Sequence, residues 1–268
     1  MSRAPHVPLL PGLVATATVK CVVALAIPLV LTADVAASGD TPFPIAISYL
    51  HIVVFGLSGG WLILGSRTDS RGRYLGTLFL LIAAMFSARP LALGAAATGA
   101  RWLHALRIID PLPFTPWLLW SFAEHFPRDF LSQRRRRMAS FVRHGCLIVA
   151  SVLSLLSVFA AVVVFANGPD ALPVFPPDWP IYWVFIIVLE LAALVTIALK
   201  TRFGTRVERR RASLFVAGLL VGFGPMAADV LLELLIPPFG RFMSRPDIRW
   251  ASGVVFYPLL LSVPLTTG

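Results

Sequence analysis

Two carboxylates four residues apart, Asp229 and Glu233, stand inside an apolar stretch of the chain. At helical pitch they share one face, a spacing that could bind a cation or share a proton. Glu190 sits alone in the middle of another apolar stretch, and Arg89, Arg107 and Asp110 interrupt two more. Ionisable groups at such depth in a bilayer cost about 2.5–3.5 kcal/mol each on insertion scales, so they are expected to be paired or functional. These six residues form the candidate ligand- or signal-sensing set. A structural ion pair is the first expectation for Asp229 and Glu233, with Arg89 and Arg107 as the leading partners; signal binding is the second, and catalysis the last.

Other constellations carry less. Glu124 and His125 invite a metal or acid–base proposal, but neighbours on a helix point about 100° apart and no second His or Cys cluster accompanies them. They read as polar residues at a helix end. His51 and His104 are isolated. The chain has no nucleophile elbow, no phosphate-binding glycine loop, no paired zinc histidines and no haem-type histidine pair. No catalytic residue, metal or cofactor is therefore expected. Cys21 and Cys146 fall in apolar stretches without metal-ligand spacing and read as small buried hydrophobes.

The elements that must position these groups are membrane helices. The chain has 268 residues, 57% hydrophobic and 13% charged, with a mean hydropathy of +0.82. That is too apolar for a soluble fold and leaves room for several spans of about 20 residues. The net charge of +10 is concentrated in three clusters. They are Arg67, Arg71 and Arg73; Arg128 with Arg134 to Arg137; and Lys200, Arg202, Arg206 and Arg209 to Arg211. Anionic lipid headgroups are nearer partners for such loops than nucleic acid, which is not expected to bind.

The clusters recur after every second apolar stretch, and the loops between them hold Asp40, Asp170 and Asp178 instead. Translocating Lys or Arg is disfavoured, so the basic loops are expected in the cytoplasm. The loop at residues 237–249, with Arg241, Arg245 and Arg249, weakens that rule locally without outweighing it. About eight spans are expected, at residues 12–37, 45–65, 74–97, 102–126, 141–166, 181–199, 212–236 and 250–266. Both termini then face the cytoplasm. The first is read as an uncleaved helix, although Val35-Ala36-Ala37 would serve as a signal-peptide cleavage site. The fourth, with Pro111, Pro113 and Pro116, is expected to be broken near its start. The fifth reads as plain scaffold, and Gly56, Ser58, Gly59, Gly60 and Gly65 would allow a neighbour close to the second.

The stretch Trp117 to Arg137, WLLWSFAEHFPRDFLSQRRRR, resembles the aromatic-Phe-Ala-x-x-Phe-Pro signature of multi-helix membrane input domains. These domains stand at the N-terminus of bacterial sensor histidine kinases and related serine phosphatases. GWLILGSRTDSRGRYLGTLFLL, from Gly60 to Leu81, and VVFYPLLLSVPLTTG, from Val254 to Gly268, fit the same likeness. The motif positions are Phe122, Phe126, Pro127 and Arg128; the resemblance implies that Phe126 and Pro127 end a membrane helix, with no catalytic role. Such proteins continue into a signalling linker and an effector domain, whereas this sequence ends at Gly268. The expectation is a fragment, or a stand-alone member acting through a cytoplasmic effector or as a homodimer.

The reading that combines these strands is a single all-α, polytopic transmembrane helical bundle of residues 1–268, without a soluble domain. It is expected in the bacterial inner membrane, in contact with the lipid bilayer, as a sensory or input module. A small proton- or ion-coupled transporter using Glu190, Asp229 and Glu233 is one rival. A structural subunit of a membrane complex is the other.

Overall fold

The computed structural model describes residues 9–29, 45–66, 69–126, 133–171, 180–201, 205–243 and 245–267. Among them every regular element is helical. The helices are α1 (Leu9–Ala26), α2 (Ile45–Gly65), α3 (Ser70–Phe86), α4 (Ala88–Thr98), α5 (Arg101–Ile108), α6 (Thr115–His125), α7 (Gln133–Asn167), α8 (Pro180–Thr201), α9 (Arg206–Leu235), α10 (Pro237–Met243), α11 (Pro246–Leu260) and α12 (Ser262–Thr267). The expected spans at 45–65 and 181–199 match α2 and α8 closely. The second half of the expected first span, and the side chains of Arg67, Arg128, Arg134 to Arg136 and Arg202, lie outside the described residues.

Among the described residues, six helical stretches are long and apolar enough to cross a bilayer: Leu9–Leu29, Ile45–Gly65, Ser70–Thr98, Arg137–Asn167, Ile181–Thr201 and Arg206–Leu235. They mark a membrane protein. Eight were expected, and the difference has a local cause. The stretches at 102–126 and 250–266 are each assembled from two shorter helices. In the first, Pro111 pushes the residue before it out of the helical region, so α5 stops at Ile108 and a 3-10 turn, Leu112–Phe114, leads into α6. In the second, α11 contains Pro258 and gives way at Leu261 to α12.

Chain chemistry sets the other boundaries too. Asp69 accepts from the Arg71 amide at 3.0 Å and starts α3. Pro90, lacking an N–H and crowding the carbonyl four residues back, accounts for the joint at Ser87 between α3 and α4. Thr205 and Glu208 form a reciprocal capping box at the start of α9. Phe126 is extended (φ −142°, ψ 135°), as a residue before proline should be, and ends α6.

Two elements form the centre. In α3 every residue from Tyr74 to Ala84 is buried, and in α6 every residue from Thr115 to Ala123. These two helices touch each other and are wrapped by α1, α2, α7 and α8, while α9 packs on α8, α11 and α12. The outer helices expose apolar side chains such as Val152, Leu155, Phe159 and Val162 on α7, as contact with lipid requires. Of the five small residues noted in α2, Gly59 makes the close approach: a Cβ on it would stand 2.7 Å from the Gly76 carbonyl oxygen of α3. Gly56, Gly60 and Gly65 have open space instead.

Candidate functional site

Glu190 lies halfway along α8, a helix of Ile, Val, Leu and Ala, and faces a cavity of about 100 Å³ between α3, α6, α8 and α9. The walls are apolar, with Ile82, Leu119, Trp183, Ile187, Phe223 and Met226 among them. Thr115, at the first turn of α6, also lines it; this buried hydroxyl is within reach of the Glu190 carboxyl without a fully formed hydrogen bond. On the far wall the α9 backbone passes through Gly224 beside Pro225. A proline inside a helix removes one backbone hydrogen bond and kinks the rod, so the wall facing Glu190 is where α9 can bend at least cost. Chemically, the cavity suits a small apolar molecule whose one hydrogen-bond-donating or cationic end meets the carboxyl.

Asp110 occupies a different place. It stands in the break between α5 and α6, where its backbone N–H donates to Ser157 Oγ at 3.1 Å and its carbonyl accepts from Ser154 Oγ at 3.1 Å. Its carboxylate accepts from the Leu112 amide at 3.0 Å and from the Tyr182 hydroxyl. Lys20, 2% exposed in α1, closes the node: its ammonium donates to the carbonyls of Arg107 at 3.2 Å and Ile109 at 2.6 Å, within electrostatic reach of Asp110. The break leaves carbonyls that no helix satisfies, and Lys20 supplies their donors. Asp110 is thus a structural tie rather than part of the cavity. The fifth span, expected as scaffold, contributes Ser154 and Ser157 to this node.

A second lysine does the same work at the other end of α6. Lys200, 1% exposed, donates to the Ala123 carbonyl at 2.7 Å and to the Glu124 carbonyl at 3.3 Å. Glu124 itself forms an ion pair with Arg143 of α7. His51, 1% exposed, sits with Nδ1 2.8 Å from the Ile47 carbonyl and Nε2 2.8 Å from the Tyr257 carbonyl, against the rings of Phe86 and Tyr257. It ties α2 to α11. A neutral ring donates to only one of those oxygens, whereas the imidazolium donates to both.

The remaining candidates lie outside that cavity. Asp229 and Glu233 share α9, with Asp229 half-buried and Glu233 exposed, and neither lines the Glu190 cavity. Arg89 is half-buried on α4, within electrostatic reach of Tyr257, and Arg107 is exposed on α5. Of the motif residues, Phe122 is buried against Phe126 and Phe215, while Pro127 and Arg128 lie outside the described residues. Lys20, Lys200, Ser154, Ser157 and Tyr182 were not singled out from the sequence as site residues. The signal for the lysines was there: an ammonium in an apolar helix needs acceptors, and proline-ended helices nearby have spare carbonyls.

Comparison of the chain with family models, with curated proteins and with solved structures finds no match.

Proposed function

We propose that the chain is a membrane-embedded sensory or input module of a bacterial signalling protein, and that its signal is a small apolar molecule with a hydrogen-bond-donating or cationic end. One observation carries this reading: among the described residues Glu190 is the acidic side chain lining the mid-bundle cavity, and it faces the wall of α9 where Gly224 and Met226 flank Pro225. A ligand seated there would press on the part of α9 that bends most easily. Because α9 packs on α12, bending would reach the helix that leads to Gly268. A cytoplasmic effector or a second copy of the chain would receive the displacement.

The arrangement in the membrane belongs to the same proposal. Counting the pairs α5–α6 and α11–α12 as one passage each gives eight passages, with both termini in the cytoplasm and the protein in the inner membrane. The basic residues support that orientation. Arg73, Glu124 and Arg143 line one crevice, and Lys200 caps the helix end that carries Glu124, so the first and third basic clusters have members at one end of the bundle, and Arg143 stands on the same helix as Arg137 of the second. We call this the basic end.

The test is binding followed by output. Purified protein in lipid nanodiscs is titrated with hydrophobic amines of graded length, with spin labels on α9 and α12 reporting their separation. The expected result is saturable binding that changes the α9–α12 distance and is weakened by Glu190→Gln. Substrate flux across reconstituted vesicles, abolished by Glu190→Gln and without a distance change, would overturn the sensor in favour of a transporter.

A further inference from the structure

At the basic end lies a second and larger crevice, of about 520 Å³, which the sensory reading does not use. It opens where α1 begins, α3 begins, α6 ends and α7 starts its apolar run. Its polar lining includes Arg73 of α3, Ser121, Glu124 and His125 of α6, and Arg143 and His144 of α7, with Ser70, Tyr74 and Thr77 of α3 beside Arg73. Leu10, Pro11 and Val14 of α1 form an apolar wall beside them.

The charges do not cancel. Glu124 is engaged by Arg143, which leaves the Arg73 guanidinium as surplus positive charge. Arg73 Nε is buried with no hydrogen-bond partner among the described residues, and so is the hydroxyl of Ser121, whose residue is 1% exposed. Both histidines spend Nδ1 on carbonyls of their own helices, at 2.8 Å to Ser121 and 2.6 Å to Ser140. Among the described residues each Nε2 is left for another partner. Buried donors left open around surplus positive charge mark the place of an anion, since an unpaired buried polar atom costs free energy that a multi-acceptor oxyanion recovers.

We infer that this crevice is a binding site for a phosphate group, held by Arg73 and Ser121 and flanked by His125 and His144. The phosphate chemistry is common to two sources, an anionic phospholipid headgroup entering from the bilayer and a free phosphate entering from water. Basic pockets between membrane helices on the cytoplasmic side are suited to the first, and the apolar wall of α1 would accommodate the glycerol and upper acyl chain.

The experiment uses the full chain in nanodiscs of phosphatidylcholine. In one arm a tenth of the lipid is phosphatidylglycerol; in the other, sodium phosphate is added to pure phosphatidylcholine discs. Native mass spectrometry reads retained lipid, and thermal unfolding reads stabilisation. Wild type is expected to retain phosphatidylglycerol over phosphatidylcholine, and Arg73→Gln to lose about tenfold in that preference, the equivalent of one charge-assisted contact. Ser121→Ala, which keeps the charge, should weaken retention while melting normally in pure phosphatidylcholine, so the inference stays testable if Arg73→Gln folds poorly. Arg210→Gln, on the exposed face of α9, should retain lipid like wild type and so excludes general attraction to a basic surface. Stabilisation by sodium phosphate alone, lost in both site variants, would assign the site to free phosphate. Equal retention by wild type and both site variants, with no effect of phosphate, would overturn it. None of these outcomes depends on Glu190, so the site and the sensory reading stand or fall separately.

Discussion

Gly59 of α2 and Gly76 of α3 meet backbone to backbone, each placed so that a Cβ on one would stand 2.7 Å from the carbonyl oxygen of the other. Helices in lipid gain little from hydrophobic exclusion, so close approach at small residues is a principal source of their attraction. Gly59→Leu or Gly76→Leu should force the pair apart at a cost of about 1–3 kcal/mol, seen as a lowered melting temperature in detergent. Gly60→Ala, where the space is open, should melt like wild type. Equal effects at Gly59 and Gly60 would show that the crossing does not hold the pair.

Lys20 and Asp110 should behave as a coupled unit. Lys20→Met strands the carbonyls of Arg107 and Ile109 and leaves Asp110 without its cation, so a loss of about 1–3 kcal/mol is expected. Adding Asp110→Asn should cost less than it does alone, because the carboxylate it removes has already lost its counter-charge. A double-mutant cycle on unfolding midpoints measures this coupling. Strict additivity would remove the electrostatic link.

The third basic cluster should divide by substitution. Lys200→Met removes the donor to Ala123 and Glu124 and should lower stability and expression. Arg210→Gln and Arg211→Gln, on the exposed start of α9, should leave the unfolding midpoint unchanged. A midpoint that responds to Arg210 as strongly as to Lys200 would contradict the capping role.

Orientation can be measured with impermeant thiol reagents. Cys21 and Cys146 are buried and should give little background. A cysteine replacing the exposed Arg137 should be protected in intact cells and labelled after permeabilisation, whereas one replacing the exposed Asp170 should be labelled from outside. Reversal of the two would invert the orientation.

How far the sequence reaches is clear from single residues. The limits of α2 follow from an unbroken apolar run, and the break after Ile108 follows from three prolines within six positions, both being local patterns. The eighth stretch reads as one apolar run, whereas its two short helices, α11 with Pro258 inside it and α12, meet at Leu261. The node at Asp110 was not legible for a different reason. Lys20 reaches carbonyls 87 and 89 residues away, and no spacing rule covers that distance. Depth alone ranks Asp229 and Glu233 with Glu190; only packing shows that Glu190 lines the mid-bundle cavity and the other two do not.

The lysine in α1 also has a consequence for biogenesis. Ribosomes deliver α1 to the membrane well before α5, so the ammonium of Lys20 must wait in or near lipid for acceptors not yet made. Once the proline break arrives, its open carbonyls and the waiting ammonium relieve each other, and the meeting fixes α1 against the forming centre. The order of synthesis thus makes α1 an internal placeholder. A chain whose α1 is supplied as a separate polypeptide should insert α5 and α6 poorly until that segment is co-expressed.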